Sequence, residues 1–115
     1  MDVIQDLIDT LRPLCPEIIE QGSMAQDAQY PPRLFTFWNS STEDHKHYNN
    51  ATHGYVWEVE VNFYSTDPAD VYSTLDAAKE RLQAAGWTVP GKGHAVASDT
   101  NTHTGRGFTA LYIEQ

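Results

Sequence analysis

Two kinds of hydrophobic period alternate along the chain, one helical and one extended. Val3, Ile4, Leu7, Ile8 and Leu11 recur at helical spacing, with Asp2 and Asp6 near the positive end of the helix dipole. That pattern predicts a first helix, ended by Pro13 and Pro16. "EIIEQGSMA", with Ile18 and Ile19 apolar, reads as a short strand, and "QDAQYPP" as a turn-rich connection. "RLFTFWNSS" is a strand by its aromatic content. "GYVWEVEVNFYST" has the clearest period of all. Tyr55, Trp57, Val59, Val61 and Phe63 fall on one face, and Val56, Glu58, Glu60, Asn62 and Tyr64 on the other. One face is therefore expected buried and the other largely wet, as in an antiparallel sheet with helices on one side.

"TDPADVYSTLDAAKERLQAAG" predicts a second helix with both ends marked. Asp67 serves as N-cap, Pro68 as the first helical residue, and Asp70 lies in the first turn. Val71, Leu75, Ala78, Leu82 and Ala85 form its apolar stripe, and Gly86 is placed to end it in the left-handed conformation. Trp87 and Val89 then return to the core. "PGKG" is a turn, "ASDTNTHTGRG" a polar loop, and "GFTALYIEQ" a last strand. The predicted order is α-β-β-β-α-β. The expected fold class is α+β, a mostly antiparallel sheet of about four strands with two helices packed on one face.

Composition narrows this picture. A chain of 115 residues fits a single domain over 1–115, and 40% hydrophobic with 20% charged residues is the balance of a globular protein. No apolar run approaches the ~18 residues of a membrane span, and "MDVIQDLIDTLRP" lacks the basic and apolar regions of a signal peptide. Cys15 is the only cysteine, so neither an internal disulfide nor a thiolate metal cluster is expected. The net charge of −9, with seven scattered basic residues, opposes binding along a phosphate backbone.

The candidate chemistry is concentrated in "STEDHKHYNNATH", Ser41 to His53. His45 and His47 form His-x-His, with Glu43, Asp44 and His53 near in sequence. In an extended segment, positions two apart point to the same side and can share a metal. A metal site needs a rigid frame, however, and here Tyr48 is the one apolar anchor between Asn49, Asn50 and Gly54. A solvated connection of about a dozen residues is the favoured reading, and connections that long are usually functional or disordered. No metal and no cofactor are therefore expected. His94 and His103 lie in other polar stretches.

Other signals are weaker. "PGKGHA" lacks the Gly-x-x-x-x-Gly-Lys-Ser/Thr spacing of a phosphate loop. No Gly-x-Ser-x-Gly elbow is present, and Cys15 stands in "LCPE" without a nucleophile signature. Glu58 and Glu60 share a strand face, which reads better as a wet sheet surface than as a catalytic pair. Gly105 and Gly107 around Arg106 read as a turn into a strand, with Arg106 a candidate intersubunit anchor. Aromatics crowd both central strands. Core packing accounts for Trp57 and Phe63, which leaves Tyr64 and either Phe35 and Phe37 or Trp38 for a partner.

"YPPRLFTFWNSSTEDHKHYNNATHGYVWEVEVNFYSTDP", "LDAAKERLQAAGW", "GKGHAVASD" and "HTGRGF" together resemble small proteins encoded in the tail-module region of phages and prophages of Gram-positive bacteria. The likeness runs from about Gln21 onward. Those proteins in turn resemble the tail-terminator (tail-completion) proteins of long-tailed phages. The resemblance implies a non-enzymatic structural subunit that forms a ring, usually a hexamer, with a monomer in isolation as the alternative state. Its ring caps the tail tube, stops tube growth and meets the head–tail connector protein. The partners implied are further copies of the chain, the tail tube protein and the connector, with no specific nucleic acid and no membrane. The implied location is the virion tail, and the host cytoplasm before assembly. Candidate contact residues are Glu43, Asp44, His45, His47, Tyr48, His53, Tyr64 and Arg106. The alternatives are another head–tail joining protein, a small metal-dependent enzyme using His45 and His47, and a sheet-based binder of single-stranded nucleic acid.

Overall fold

A computed structural model describes residues 2–21, 30–44, 47–48, 51–52, 54–98 and 102–114. Helix α1 spans Val3–Leu11, its N-terminus closed by the Asp2 carboxylate accepting from the Gln5 N–H. Helix α2 spans Pro68–Ala84, with Asp67 accepting from the Ala69 N–H. Gly86 follows at φ +99°, a conformation that side chains with a Cβ disfavour.

The strands are β1 (Ile18–Glu20), β2 (Arg33–Asp44), β3 (His47–Tyr48), β4 (Ala51–Thr52), β5 (Tyr55–Ser65), β6 (His94–Val96) and β7 (Thr104–Glu114). Five of them form one sheet in the order β1-β2-β5-β7-β6, and β3 and β4 pair with each other. The sheet is antiparallel except where β1 runs parallel to β2.

The α+β class and the two helices follow the sequence pattern, but the strand inventory differs from it. A fifth sheet strand, His94–Val96, lies in a stretch too short and polar to announce itself. β7 begins at Thr104, inside the segment expected to loop. The expected connector from Ser41 is also shorter than predicted. Ser41, Thr42, Glu43 and Asp44 continue β2, paired with Glu58, Trp57, Val56 and Tyr55. Backbone pairing with β5 extends the strand through residues that read as a loop by composition.

Both helices cover one face of the sheet. Val3, Leu7 and Leu11 of α1 and Val71, Leu75, Ala78 and Leu82 of α2 bury against Phe35, Phe37, Val59, Val61, Phe63, Phe108 and Ala110. Trp87 and Val89 close this core as expected, and the Trp87 indole N–H donates to Asp6 at 3.3 Å. The three long strands β2, β5 and β7 form the centre of the sheet.

Candidate functional site

The helix side of the sheet is knitted shut. Arg33 donates from Nε and Nη2 to both carboxylate oxygens of Asp70, at 2.7 and 3.1 Å, and also to the Leu14 carbonyl and the Thr74 hydroxyl. That bidentate pair ties β2 to α2. The hydrogen bond from Arg33 holds the Asp70 carboxyl below the usual range, and Asp70 in turn raises Arg33. Arg106 also belongs to this side. Its guanidinium donates to the Gly93 carbonyl at 3.1 Å and stacks over the Tyr72 ring at 4.9 Å. The residue read as an intersubunit anchor thus ties β7 to α2 and to the turn before β6.

Among the described residues no helix lies over the opposite face, and the register across β2, β5 and β7 fixes what it displays. Trp38 stands beside Glu60 and Thr109, Ser41 beside Glu58 and Leu111, and Glu43 beside Val56 and Ile113. Trp38 is 36% exposed and Ile113 50%. Among the candidate aromatics, therefore, Trp38 faces outward while Phe35 and Phe37 are core. The carboxylates hold only hydroxyl partners. Ser40 and Ser41 donate to Glu58 at 3.0 and 3.5 Å, and Thr109 donates to Glu60 at 2.8 Å.

One part of this face departs from the expected wet pattern. Asn62 is only 3% exposed, and its Oδ1 has no hydrogen-bond partner. The cause is in β7. A Cβ at residue 107 would lie 1.9 Å from Asn62 Oδ1, and one at residue 105 would lie 2.6 Å from the Tyr64 ring. Gly105 and Gly107 therefore sit inside a strand, giving Tyr64 and Asn62 room to lie flat across the neighbouring strand. Tyr64 also donates to the Ala97 carbonyl at 3.4 Å.

The hairpin β2–β5 ends in the β3–β4 ribbon, where His47 pairs with Thr52 and Tyr48 with Ala51. His47 and Tyr48 thus lie in one short strand at the tip, and Asp44 is the last residue of β2. Glu43 is exposed on the open face just below. His45 and His53 lie outside the described residues. Among the described residues no three His, Cys, Asp or Glu side chains cluster as metal ligands, and no helix is long and apolar enough to cross a membrane.

The structure brings forward residues that the sequence pattern undervalued. Leu111 and Ile113 belong to the open face, while Phe108, Ala110 and Tyr112 point to the core side. The signal was present in "FTALYIE", which is apolar in both strand phases and so has no wet face to offer. Compared with known proteins, the chain matches no family model and no curated relative.

Proposed function

We propose that this protein is a structural subunit of a phage or prophage tail, a ring-forming tail terminator that caps the tail tube and joins it to the head connector. It works by contact and not by catalysis. The observation that supports this reading is the long β2–β5 hairpin. It carries strand pairing out to Asp44 and Tyr55 and ends in a separate ribbon, while Tyr55 at its outer end is 44% exposed. A monomer gains little by ordering such an extension, whereas a neighbouring subunit or tube can bury it. The shape is consistent with an elongated contact element, the molecule measuring 53 × 29 × 22 Å. The acidic balance of the chain suits a ring through which DNA passes without adhering.

Replacing residues 45–54 by a short Asn-Gly turn tests the role of the tip. The variant is expected to fold, with a stability change below about 1 kcal/mol, and to fail in ring assembly and in tail termination. Electron microscopy of phage carrying it should show tails of irregular length. Tails of normal length from that variant would rule out the tip as the contact. Normal tails without the protein at all would rule out the terminator role.

A further inference from the structure

The open face of the sheet combines apolar and acidic groups in a way the helix side does not. Trp38, Val56, Leu111 and Ile113 supply apolar surface, and Glu43, Glu58 and Glu60 stand among them. None of the three carboxylates meets a cation among the described residues; Glu58 and Glu60 accept from hydroxyls alone. The described arginines are engaged elsewhere. Arg12 pairs with Asp9, Arg33 with Asp70, Arg81 with the Thr10 carbonyl, and Arg106 with Gly93 and Tyr72. Lys79 donates to the Gly91 carbonyl. Of the charged residues on the three central strands, Arg33 and Arg106 lie on the helix side, while Glu43, Glu58 and Glu60 stand on the opposite face.

We propose that this face is the docking site of a basic amphipathic helix from another protein. Its apolar side chains would cover Trp38, Leu111 and Ile113, and its lysines or arginines would meet Glu58 and Glu60. Around Trp38 and Ile113 this face carries no second layer among the described residues, and such a face is completed most simply by a helix. The spacing fits. Glu58 and Glu60 are two residues apart on one strand, about 6.7 Å, and side chains four apart on a helix rise about 6 Å. The face spans three paired strands, so a partner must lie over it through side chains and cannot add to it as a strand. Charge selects among occupants. A second copy laid face to face would set three carboxylates against three, and nucleic acid or an anionic membrane would be repelled. This docking is a property of the single subunit and does not rest on ring formation.

The test uses the full chain and an 18-residue amidated peptide of Leu and Lys patterned as an amphipathic helix. A peptide of the same composition, scrambled to remove the period, is the control. Calorimetry should show the patterned peptide binding at least tenfold more tightly than the scrambled one. Glu58→Gln with Glu60→Gln, and separately Trp38→Ser, should each weaken binding at least tenfold. Asp76→Asn with Glu80→Gln removes the same charge from the exposed surface of α2 and should change binding less than twofold. Amide shifts on the unaltered protein should map to β2, β5 and β7, which decides the matter even if a variant misfolds. The proposal is overturned if the two peptides bind alike, if the α2 pair matters as much, or if the shifts map to the helices. It is also overturned if neutralising Glu58 and Glu60 produces a face-to-face dimer in sedimentation and no gain or loss of peptide, since the occupant is then a second copy.

Discussion

The two faces of the same three strands show opposite uses of apolar surface. On the helix side Phe35, Val61, Phe63 and Phe108 are buried under α1 and α2, and the charged groups there are paired or stacked. On the other side Trp38 and Ile113 stay partly in water beside Glu58 and Glu60, which among the described residues meet hydroxyls and no cation. The first face determines whether the chain folds. The second is packed at one end, where Leu34 and Asn62 are buried beside Gly107, and its outer part around Trp38 and Ile113 contributes little to folding and can serve contact. Substitutions on the helix side and at that packed end should therefore register in stability, and on the outer part in binding.

The sharpest contrast should come from Phe63→Ala. Phe63 is fully buried and packs at a tilt against Phe35 with ring centroids 4.7 Å apart. Its truncation is expected to cost ~3–5 kcal/mol in urea unfolding, a large part of the stability of a domain this size. A cost below ~1 kcal/mol would show that the helix side is not the core that holds the fold.

Gly107→Ala comes next and asks how far the bare face is packed by its own backbone. The new methyl would overlap Asn62 Oδ1 and approach the Val61 carbonyl at 2.8 Å. A loss of ~1–3 kcal/mol is expected, partly relieved by Asn62→Ala in a double-mutant cycle. Full additivity would mean that the contact between the two strands is not what the glycine protects.

Asp70→Asn tests the ion pair on the closed side, with an expected loss of about 1 kcal/mol at neutral pH. The sign follows from linkage. A carboxyl held below its unfolded value of about 3.9 contributes stability above that pH, and the contribution fades as pH falls through the lower folded value. The difference between the wild-type protein and the variant should thus shrink in acid and be flat from pH 6 to 8. A difference that grows in acid would contradict the pairing. Ile113→Thr should have the smallest effect, within ~0.5 kcal/mol, because its side chain is half in water and threonine suits a strand. A larger loss would mean that Ile113 belongs to a core.

The helices were legible in the sequence because their signals are local. Asp2, Asp67, Pro68 and Gly86 mark ends, and the apolar stripes mark the buried sides. The alternation in β5 likewise identified Val59, Val61 and Phe63 as core. What the pattern did not carry was set by partners distant in sequence. Thr104 to Gly107 is polar and glycine-rich, yet it is strand because Tyr64 and Asn62 pack over its glycines. Ser41 to Asp44 resembles a loop by composition and is held extended by β5. The proposed contact residues split in the same way. Tyr64 and Arg106 had alternation and a flanking pattern to locate them, while their intramolecular partners Ala97, Gly93 and Tyr72 lie up to 34 positions away along the chain.

The irregularity between Asn39 and Ser41 has a further consequence. Asn39 pairs with Val59 and Ser41 with Glu58, so Ser40 is left over, its hydroxyl bound to the Glu58 carbonyl and carboxylate. A regular ladder would place Ser40 opposite Glu58 and turn Glu43 toward the helix side. One spare backbone unit thus decides which side of the sheet the outer half of the hairpin shows. It also makes that position a point of slack. Excising Ser40 would restore a regular ladder and leave every outer pairing in place. Excising a residue from the unbulged β5 would reverse the display of all that follows. For this surface, the count of residues between fixed points carries as much information as their identity.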